Sequence, residues 1–489
     1  MVSRKIILFF IIPLIIIASG VSTWLLLKGK KQSWTVYQNA QPPVQLERVI
    51  LITVDTLRAD HLGAYGYPRP TSPFIDRLAQ NGVQFQRAFC SMATTTPSHA
   101  AIMTSIYPIS LKLIQNGHKL DKSFLTLAEI FSAMKFNTAG FVSTNSHFKE
   151  GGLDQGFSTF NEPPEKKKVH RRTAEQTMDT CITWLEKRNP SDKFFLWIHL
   201  FDLHRPFNPL PQYRKMLSFS SDKEKQGYVR FLKEQHHLDL NYFGSEEKAL
   251  DTIESYDSEL LFIDHQIKRL YEWMNQKGLG NHTLWIITGD HGEGLGNHNR
   301  LGHGQHIYNV QVRVPLIFHF TDHVASIRKT EQVVEHIDIT PTVLELLGWS
   351  VRNGRPFYGT SLLPLLLNNG KAFPHKYAFS QRRDYSGENP TQQVNTVDDT
   401  DSYESGDKFC LQDEQYKYIH HTTGEDECYH VQDDPYETEN LVKINIPECA
   451  RMKKDLLERV AQLQKGSTLT PQSVNKKTIE KLRSLGYVQ

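Results

Sequence analysis

The sequence predicts an α/β fold: a central, mostly parallel sheet flanked by helices, a smaller C-terminal α+β subdomain, and one transmembrane helix ahead of both. Three observations carry that prediction. Apolar, β-rich runs recur at Val49–Val54, Phe194–His199, Leu284–Thr288 and Val314–Phe320, each the length of a strand buried on both faces. Helical patterns with recognisable ends lie between them. An uncharged apolar run from Ile6 to Leu27 precedes everything.

That first run is long enough to cross a bilayer core as a helix. Arg4 and Lys5 flank it on one side and Lys28, Lys30 and Lys31 on the other, so the positive-inside rule specifies orientation weakly. A cleaved signal peptide is the rival reading, with Ile6–Ile17 as its apolar region and Ala18-Ser19-Gly20 as small residues. The anchor is preferred because apolar residues resume at Trp24–Leu27. With the N-terminus inside, either reading sends the rest of the chain out of the cytoplasm.

Residues 32–47 read as a linker containing Pro42-Pro43, and 48–350 as the main α/β domain. Within it, Ser72 is placed to cap a helix that starts at Pro73 and stops at Gly82. Over 248–277, Leu250, Ile253, Leu260, Ile263, Ile267, Leu270 and Met274 fall at helical spacing, with Gly278 as the stop. Thr340 and Pro341 open another helix that Gly348 ends. Residues 351–445 form the smaller subdomain, including a polar, acidic loop over 384–408, and 446–489 a charged helical tail. The basic run 165–172 reads as a solvated loop, and Trp197 and Trp285 as core.

Composition excludes some classes of partner. The chain has 489 residues, and its formal net charge of +2 lacks the basic excess that neutralising nucleic-acid phosphates requires. Five cysteines in so long a chain make no disulfide framework; Cys410 and Cys428 are candidates to pair in an oxidising compartment, with partner choice left open.

In sheets of this kind, reactive groups collect just past the carboxyl ends of strands. Asp55 follows the first strand, Asp202 and His204 the second, and Asp290 and His291 the third, after Gly289. A lone strand-end Asp more often caps a helix. Oxygen and nitrogen donors converging from separate strands instead make a site for Zn²⁺ or Mn²⁺, whereas an all-carboxylate set suits Ca²⁺ or Mg²⁺. The nucleophile candidate lies in Ala93-Thr94-Thr95-Thr96-Pro97-Ser98-His99. Pro97 is expected to start a helix through Thr104 with Thr96 capping it, which puts a preceding hydroxyl in the field of free helix N–H groups. A dication can hold such a hydroxyl as an alkoxide. On these residues alone, the reading that the threonines only cap and turn stands beside it.

The run from Val54 to Tyr67, with Thr71-Ser72-Pro73 and Ile75–Ala79, resembles the opening of sulfatase-like enzymes of the alkaline phosphatase superfamily. Thr95-Thr96-Pro97-Ser98-His99-Ala100-Ala101-Ile102-Met103-Thr104 resembles their nucleophile segment. The likeness continues through His199–His204, Thr288–Glu293, Asp338–Thr342 and Asp434–Leu441, in the family's order over about residues 48–445.

By that resemblance, Asp55, Asp290 and His291 match metal ligands, and Thr95 the nucleophile that also touches the metal. Asn116, in Asn116-Gly117 between Lys112 and Lys119, matches an amide that holds a substrate oxygen in phosphodiesterase relatives. His204 and His303 match imidazoles around the transferred group, with His99 as a further candidate to stabilise charge there. Asp202, His204, His303 and His306 are the candidate set for a second metal, with His298 and His306 otherwise reading as solvated loop residues.

The departures also carry meaning. Thr95 stands where sulfatases need a Cys or Ser to oxidise to formylglycine, His99 replaces the Arg of that motif, and Thr56 replaces the second carboxylate of an Asp-Asp pair. Together these imply a membrane-anchored, extracytoplasmic, metal-dependent hydrolase of phosphate or sulfate esters, phosphate favoured, with an anionic ester substrate. Zn or Mn is the favoured metal, with Ca or Mg allowed. The alternatives are a phosphoethanolamine- or phosphoglycerol-type transferase acting on lipid or glycan, and a catalytically silent binding protein.

Overall fold

The computed structural model describes residues 34–144, 148–164, 171–322, 329–367, 373–374, 377–384 and 405–465. Eight strands form the main sheet: β1 (Arg48–Val54), β2 (Val83–Phe89), β3 (Asn137–Val142), β4 (Thr159–Asn161), β5 (Phe194–Leu200), β6 (Thr283–Gly289), β7 (Arg313–Phe320) and β8 (Lys329–Glu335). Their order is β8-β2-β7-β6-β1-β5-β3-β4. The sheet is mixed: β7 alone runs antiparallel to its neighbours β2 and β6, and the other pairs are parallel. Every residue of β1, β5 and β6 is buried, which is why these strands read as continuous apolar runs. Trp197 and Trp285 are core, as expected.

Helices cover both faces. Helix α1 (Pro73–Gln80) begins where the sequence places it, but Ser72 does not cap it. The Ser72 hydroxyl donates to Asp76 Oδ1 at 3.0 Å. The free N–H groups of Phe74 and Ile75 go instead to the Asp264 carboxylate (2.7–3.1 Å), supplied by another helix and invisible to a local reading. Helix α2 (Thr95–Thr104) starts at Thr95, earlier than Pro97, with Thr94 rather than Thr96 in the cap position. Helix α3 spans Ala174–Leu185. The long helix α4 (Glu246–Gln276) is capped by Ser245, whose side chain accepts from Lys248 N, and buries the whole predicted stripe. Helix α5 (Ile339–Leu346) ends before Gly348, whose φ of +67° favours glycine.

A second, antiparallel sheet of β9 (Ala378–Arg382), β10 (Lys408–Gln412), β11 (Lys417–His421) and β12 (Glu427–Tyr429) follows. Helix α6 (Pro447–Lys465) packs on it, with Met452, Leu456, Val460 and Leu463 in one apolar cluster with Phe409, Leu411 and Tyr418. The disulfide joins Cys428 to Cys449 of α6, and Cys410 is free and buried, which corrects the Cys410–Cys428 candidate. The Lys417 ammonium is buried between Glu437, the carbonyl of Ile307 and Asn309, tying this unit to the loop that carries His303. The apolar run 6–27, most of the 384–408 loop, nearly all of the basic run 165–172 and the tail beyond 465 lie outside the described residues. Among the described residues, no helix is long and apolar enough to cross a membrane.

Candidate active site

Strands β1 and β6 are in-register neighbours, Val54 beside Gly289, so Asp55 and Asp290 leave the sheet at one level. Gly289 is needed for that exit, because a Cβ there would lie 2.5 Å from the carbonyl oxygen of Leu57. The start of α2 brings Thr95 to the same point. Thr95 Oγ1 lies 3.5 Å from Asp55 Oδ2 and 3.4 Å from His291 Nε2. His291 Nε2 is in turn 3.7 Å from Asp55 Oδ1 and 3.6 Å from Asp290 Oδ2. All four residues are fully buried.

The donor set fits a dication. His291 Nδ1 donates to the carbonyl of Gly292 at 2.9 Å, so a neutral ring turns the Nε2 lone pair toward the two carboxylates. Burial and the neighbouring His303 push its pKa down to about 3, which keeps the ring neutral. Asp290 Oδ1 accepts from the backbone N–H of His291 (2.8 Å) and of Thr56 (3.2 Å), while Oδ2 has no hydrogen-bond partner. Burial and the adjacent Asp55 drive the Asp290 carboxyl well above the usual range. Burial works the same way on Asp55, but His199, His204 and His291 outweigh it and hold that carboxyl low. Two carboxylates and an imidazole lone pair facing one another make a donor set that could hold a divalent cation. Among the described residues, Asp55, Asp290 and His291 are the one group of three or more such side chains close enough to share an ion.

Thr56, in the place of a second carboxylate, offers no ligand. Its hydroxyl donates to Leu203 O at 2.9 Å, and its φ of +58° is strained for a β-branched residue. Asn116 arrives beside the start of α2: its Oδ1 accepts from Thr96 N at 2.8 Å, which leaves the amide NH₂ as the end to present. His204 stacks on Phe201 (4.4 Å between centroids) and meets His303 edge-on at 5.0 Å. The His303 ring lies 4.5 Å from that of His291. Its Nδ1 is 3.1 Å from Glu293 Oε2, and although burial opposes the charged form, Glu293 raises the His303 pKa.

His99 is buried at the start of α2: Nδ1 donates to Thr95 O at 2.7 Å and lies 3.7 Å from Asp290 Oδ2, and Nε2 lies 2.9 Å from Thr53 Oγ1. Two readings of the sequence need correction. The set Asp202, His204, His303 and His306 is not gathered. Both Asp202 oxygens accept from Ala174 N at the start of α3 (3.1 and 2.9 Å), and His306 stacks beside Tyr308. His306 is also buried, not solvated, and His298 is half-buried against Tyr308 at 3.9 Å. The sequence reading assigned no role to Glu293, Thr53 or His199. A usable signal existed for the last two: strand alternation puts Thr53 on the face of Asp55, and His199 on the face of Trp197.

Known proteins share this architecture. The sulfatase family model matches residues 47–349, and the model for the N-sulphoglucosamine sulphohydrolase C-terminal region matches residues 297–466. The chain is 24% identical to the multifunctional alkaline phosphatase superfamily protein PehA of Trinickia caryophylli, over 84% of this chain and 94% of that protein. It is 25% identical to an ulvan-active sulfatase of Formosa agariphila, over 89% and 84%. The crystal structure of a phosphonate monoester hydrolase from Agrobacterium radiobacter superposes with a TM-score of 0.65 at 20% identity, over 86% of this chain and 95% of that one, and so shares the fold.

Proposed function

The chain belongs to the sulfatase family of the alkaline phosphatase superfamily, which supports ester hydrolysis as its activity class, and from that premise we propose a metal-dependent hydrolase of phosphate esters with Thr95 as the nucleophile. One observation carries the reading: the Thr95 hydroxyl stands 3.4–3.5 Å from two members of the one buried group among the described residues that could hold a dication. Asp55, Asp290 and His291 would hold the ion, beside the Thr95 hydroxyl. Zn²⁺ or Mn²⁺ suits this mixed oxygen and nitrogen set. Such an ion, when bound, lowers the pKa of a neighbouring hydroxyl and neutralises charge on an ester oxygen.

The chain's own groups do the rest. Thr95 passes its hydroxyl proton to Asp55 Oδ2, 3.5 Å away, and attacks phosphorus in line. The Oγ–P bond forms as the bond to the leaving oxygen breaks, and that oxygen takes a proton from His303. Water then attacks phosphorus and gives a proton back to His303, while the Thr95 oxygen leaves with the proton held on Asp55, restoring the hydroxyl and freeing phosphate. The Asn116 amide, oriented by Thr96 N, donates to an equatorial oxygen, and His204 lines the same space. Phosphate is favoured over sulfate because a secondary hydroxyl cannot be converted to formylglycine.

Anchoring through residues 6–27, with the catalytic part outside the cytoplasm, belongs to the same proposal. The Cys428–Cys449 disulfide supports it, since such bonds persist in oxidising compartments. Metal analysis with a panel of nitrophenyl phosphate monoesters, phosphodiesters and sulfates tests the activity. The reading expects bound metal and turnover of phosphate esters; turnover confined to sulfates overturns the substrate class, and undiminished activity of Thr95→Ala overturns the nucleophile.

A further inference from the structure

A second set of buried polar groups lies behind the nucleophile, and no step of the proposed chemistry uses it. Thr53, two residues before Asp55 on β1, stands in register beside His199 on β5, and Trp197 precedes His199 on that face. The Thr53 hydroxyl is a junction of three contacts. Trp197 Nε1 donates to it at 3.0 Å, His199 Nδ1 lies at 3.1 Å and His99 Nε2 at 2.9 Å. Thr53, His99, Trp197 and His199 are fully buried. The Phe148 ring packs against His99, Trp197 and His199 with centroids 5.2, 5.3 and 4.8 Å away.

Counting hydrogens limits the pattern. The carbonyl of Thr95 only accepts, so His99 Nδ1 carries hydrogen. Trp197 Nε1 only donates, which leaves the Thr53 oxygen one hydrogen and one lone pair for two ring nitrogens: it donates to one imidazole and accepts from the other. A methyl in its place leaves these buried nitrogens without that partner, which costs free energy.

We infer that Thr53 is a positioning residue: its hydroxyl orients His99 against the carbonyl of Thr95 and fixes the ring of His199, whose Nε2 stands 3.4 Å from Asp55 Oδ2. One side chain thereby sets the start of α2 and the first carboxylate in a common frame. This rests on the roles of Thr95 and Asp55 proposed above. Valine matches threonine in shape, so a role in packing alone is indifferent to the exchange, whereas the network is not.

The test compares Thr53→Val, Thr53→Ser and Thr95→Ala in the full chain, reading kcat, KM, Mn²⁺ affinity of the chelator-treated protein by calorimetry, and the thermal midpoint. Folded Thr53→Val is expected to lose about 10–100-fold in kcat and about tenfold in Mn²⁺ affinity with KM changed little, and Thr53→Ser to recover most of both. Wild-type kcat and Mn²⁺ affinity in folded Thr53→Val overturn the inference. Should Thr53→Val not fold, His199→Phe, which fills similar space without ring nitrogens, takes its place: the same losses are expected, and wild-type values again overturn the inference. An active Thr95→Ala counts against the function proposed above, and the Mn²⁺ measurement still decides the role of Thr53.

Discussion

Two buried clusters of ionisable groups lie on either side of the segment Thr56–Arg58, and they are built on opposite principles. On one side, Asp257 accepts from His61 Nδ1 (2.9 Å), Tyr67 (2.8 Å) and Arg69 (3.1 Å), and Asp60 is gripped by both ends of the Arg58 guanidinium at 2.6 and 2.9 Å. Each carboxylate there meets a cation or hydroxyl of the chain itself. On the other side, Asp55 and Asp290 face imidazoles, one of them turning a lone pair inward, and a threonine hydroxyl. The first cluster is closed and structural. The second sets two buried carboxylates against an imidazole lone pair and a hydroxyl and, among the described residues, leaves Asp290 Oδ2 without a hydrogen bond, which burial makes expensive. A buried polar group identifies a site when the chain fails to satisfy it.

The comparison can be broken in several ways, beginning with the largest effect. Chelation followed by dialysis should abolish turnover, and Mn²⁺ or Zn²⁺ should restore it; full activity in metal-free protein would place the missing charge elsewhere. Thr95→Ala should lower kcat by roughly 10³-fold or more while leaving the circular dichroism spectrum unchanged. Asn116→Ala, which removes one oriented donor, should lower kcat by about 10²–10³-fold with KM nearly constant.

Substituting one carboxylate in each cluster sharpens the contrast, because the expected signs differ. Asp257→Asn breaks a balanced buried pair and should cost about 3–5 kcal/mol in denaturant unfolding. Asp290→Asn relieves like charge, so the metal-free protein should be as stable as wild type or more so, by about 1 kcal/mol, and should no longer be stabilised by added Mn²⁺. Equal destabilisation in both variants would erase the distinction.

The smallest effect concerns Glu259, outside both clusters. Its Oε1 accepts from Asn208 N at 2.6 Å, Oε2 is buried without a hydrogen-bond partner, and burial pushes its pKa up to about 8. Between the unfolded value of 4.5 and that of about 8, the folded state keeps a proton that the unfolded chain has lost. Stability therefore falls as pH rises through that window and levels off above it. Glu259→Gln should melt roughly a few degrees above wild type at pH 8, with the gap closing toward pH 5; a gap independent of pH would contradict this.

The sequence was legible where a signal is local or repeats along the chain. Continuous apolar runs gave β1, β5, β6 and β7, and helical spacing gave α4. Strand ends pointed to Asp55, Asp290 and His291 and resemblance to Thr95 and Asn116, and the fold brings these side chains near one another. What stayed hidden depends on groups far apart in the chain. Asp264 caps α1 from another helix, Asp202 is drawn off to the start of α3, and Cys449 rather than Cys410 meets Cys428. His99 reads as a charge stabiliser in its motif, yet packing turns it toward Thr53, which no local pattern reports. The unsatisfied state of Asp290 is likewise a property of its surroundings, so only coordinates disclose it.

Intact-protein mass after brief exposure to a nitrophenyl phosphate, quenched in acid and followed by peptide mapping, tests the central claim most directly. The account predicts the added mass of a single phosphoryl group on the peptide containing Thr95, absent in Thr95→Ala. Steady turnover with no adduct under any quench, or an adduct mapped to another residue, would contradict it.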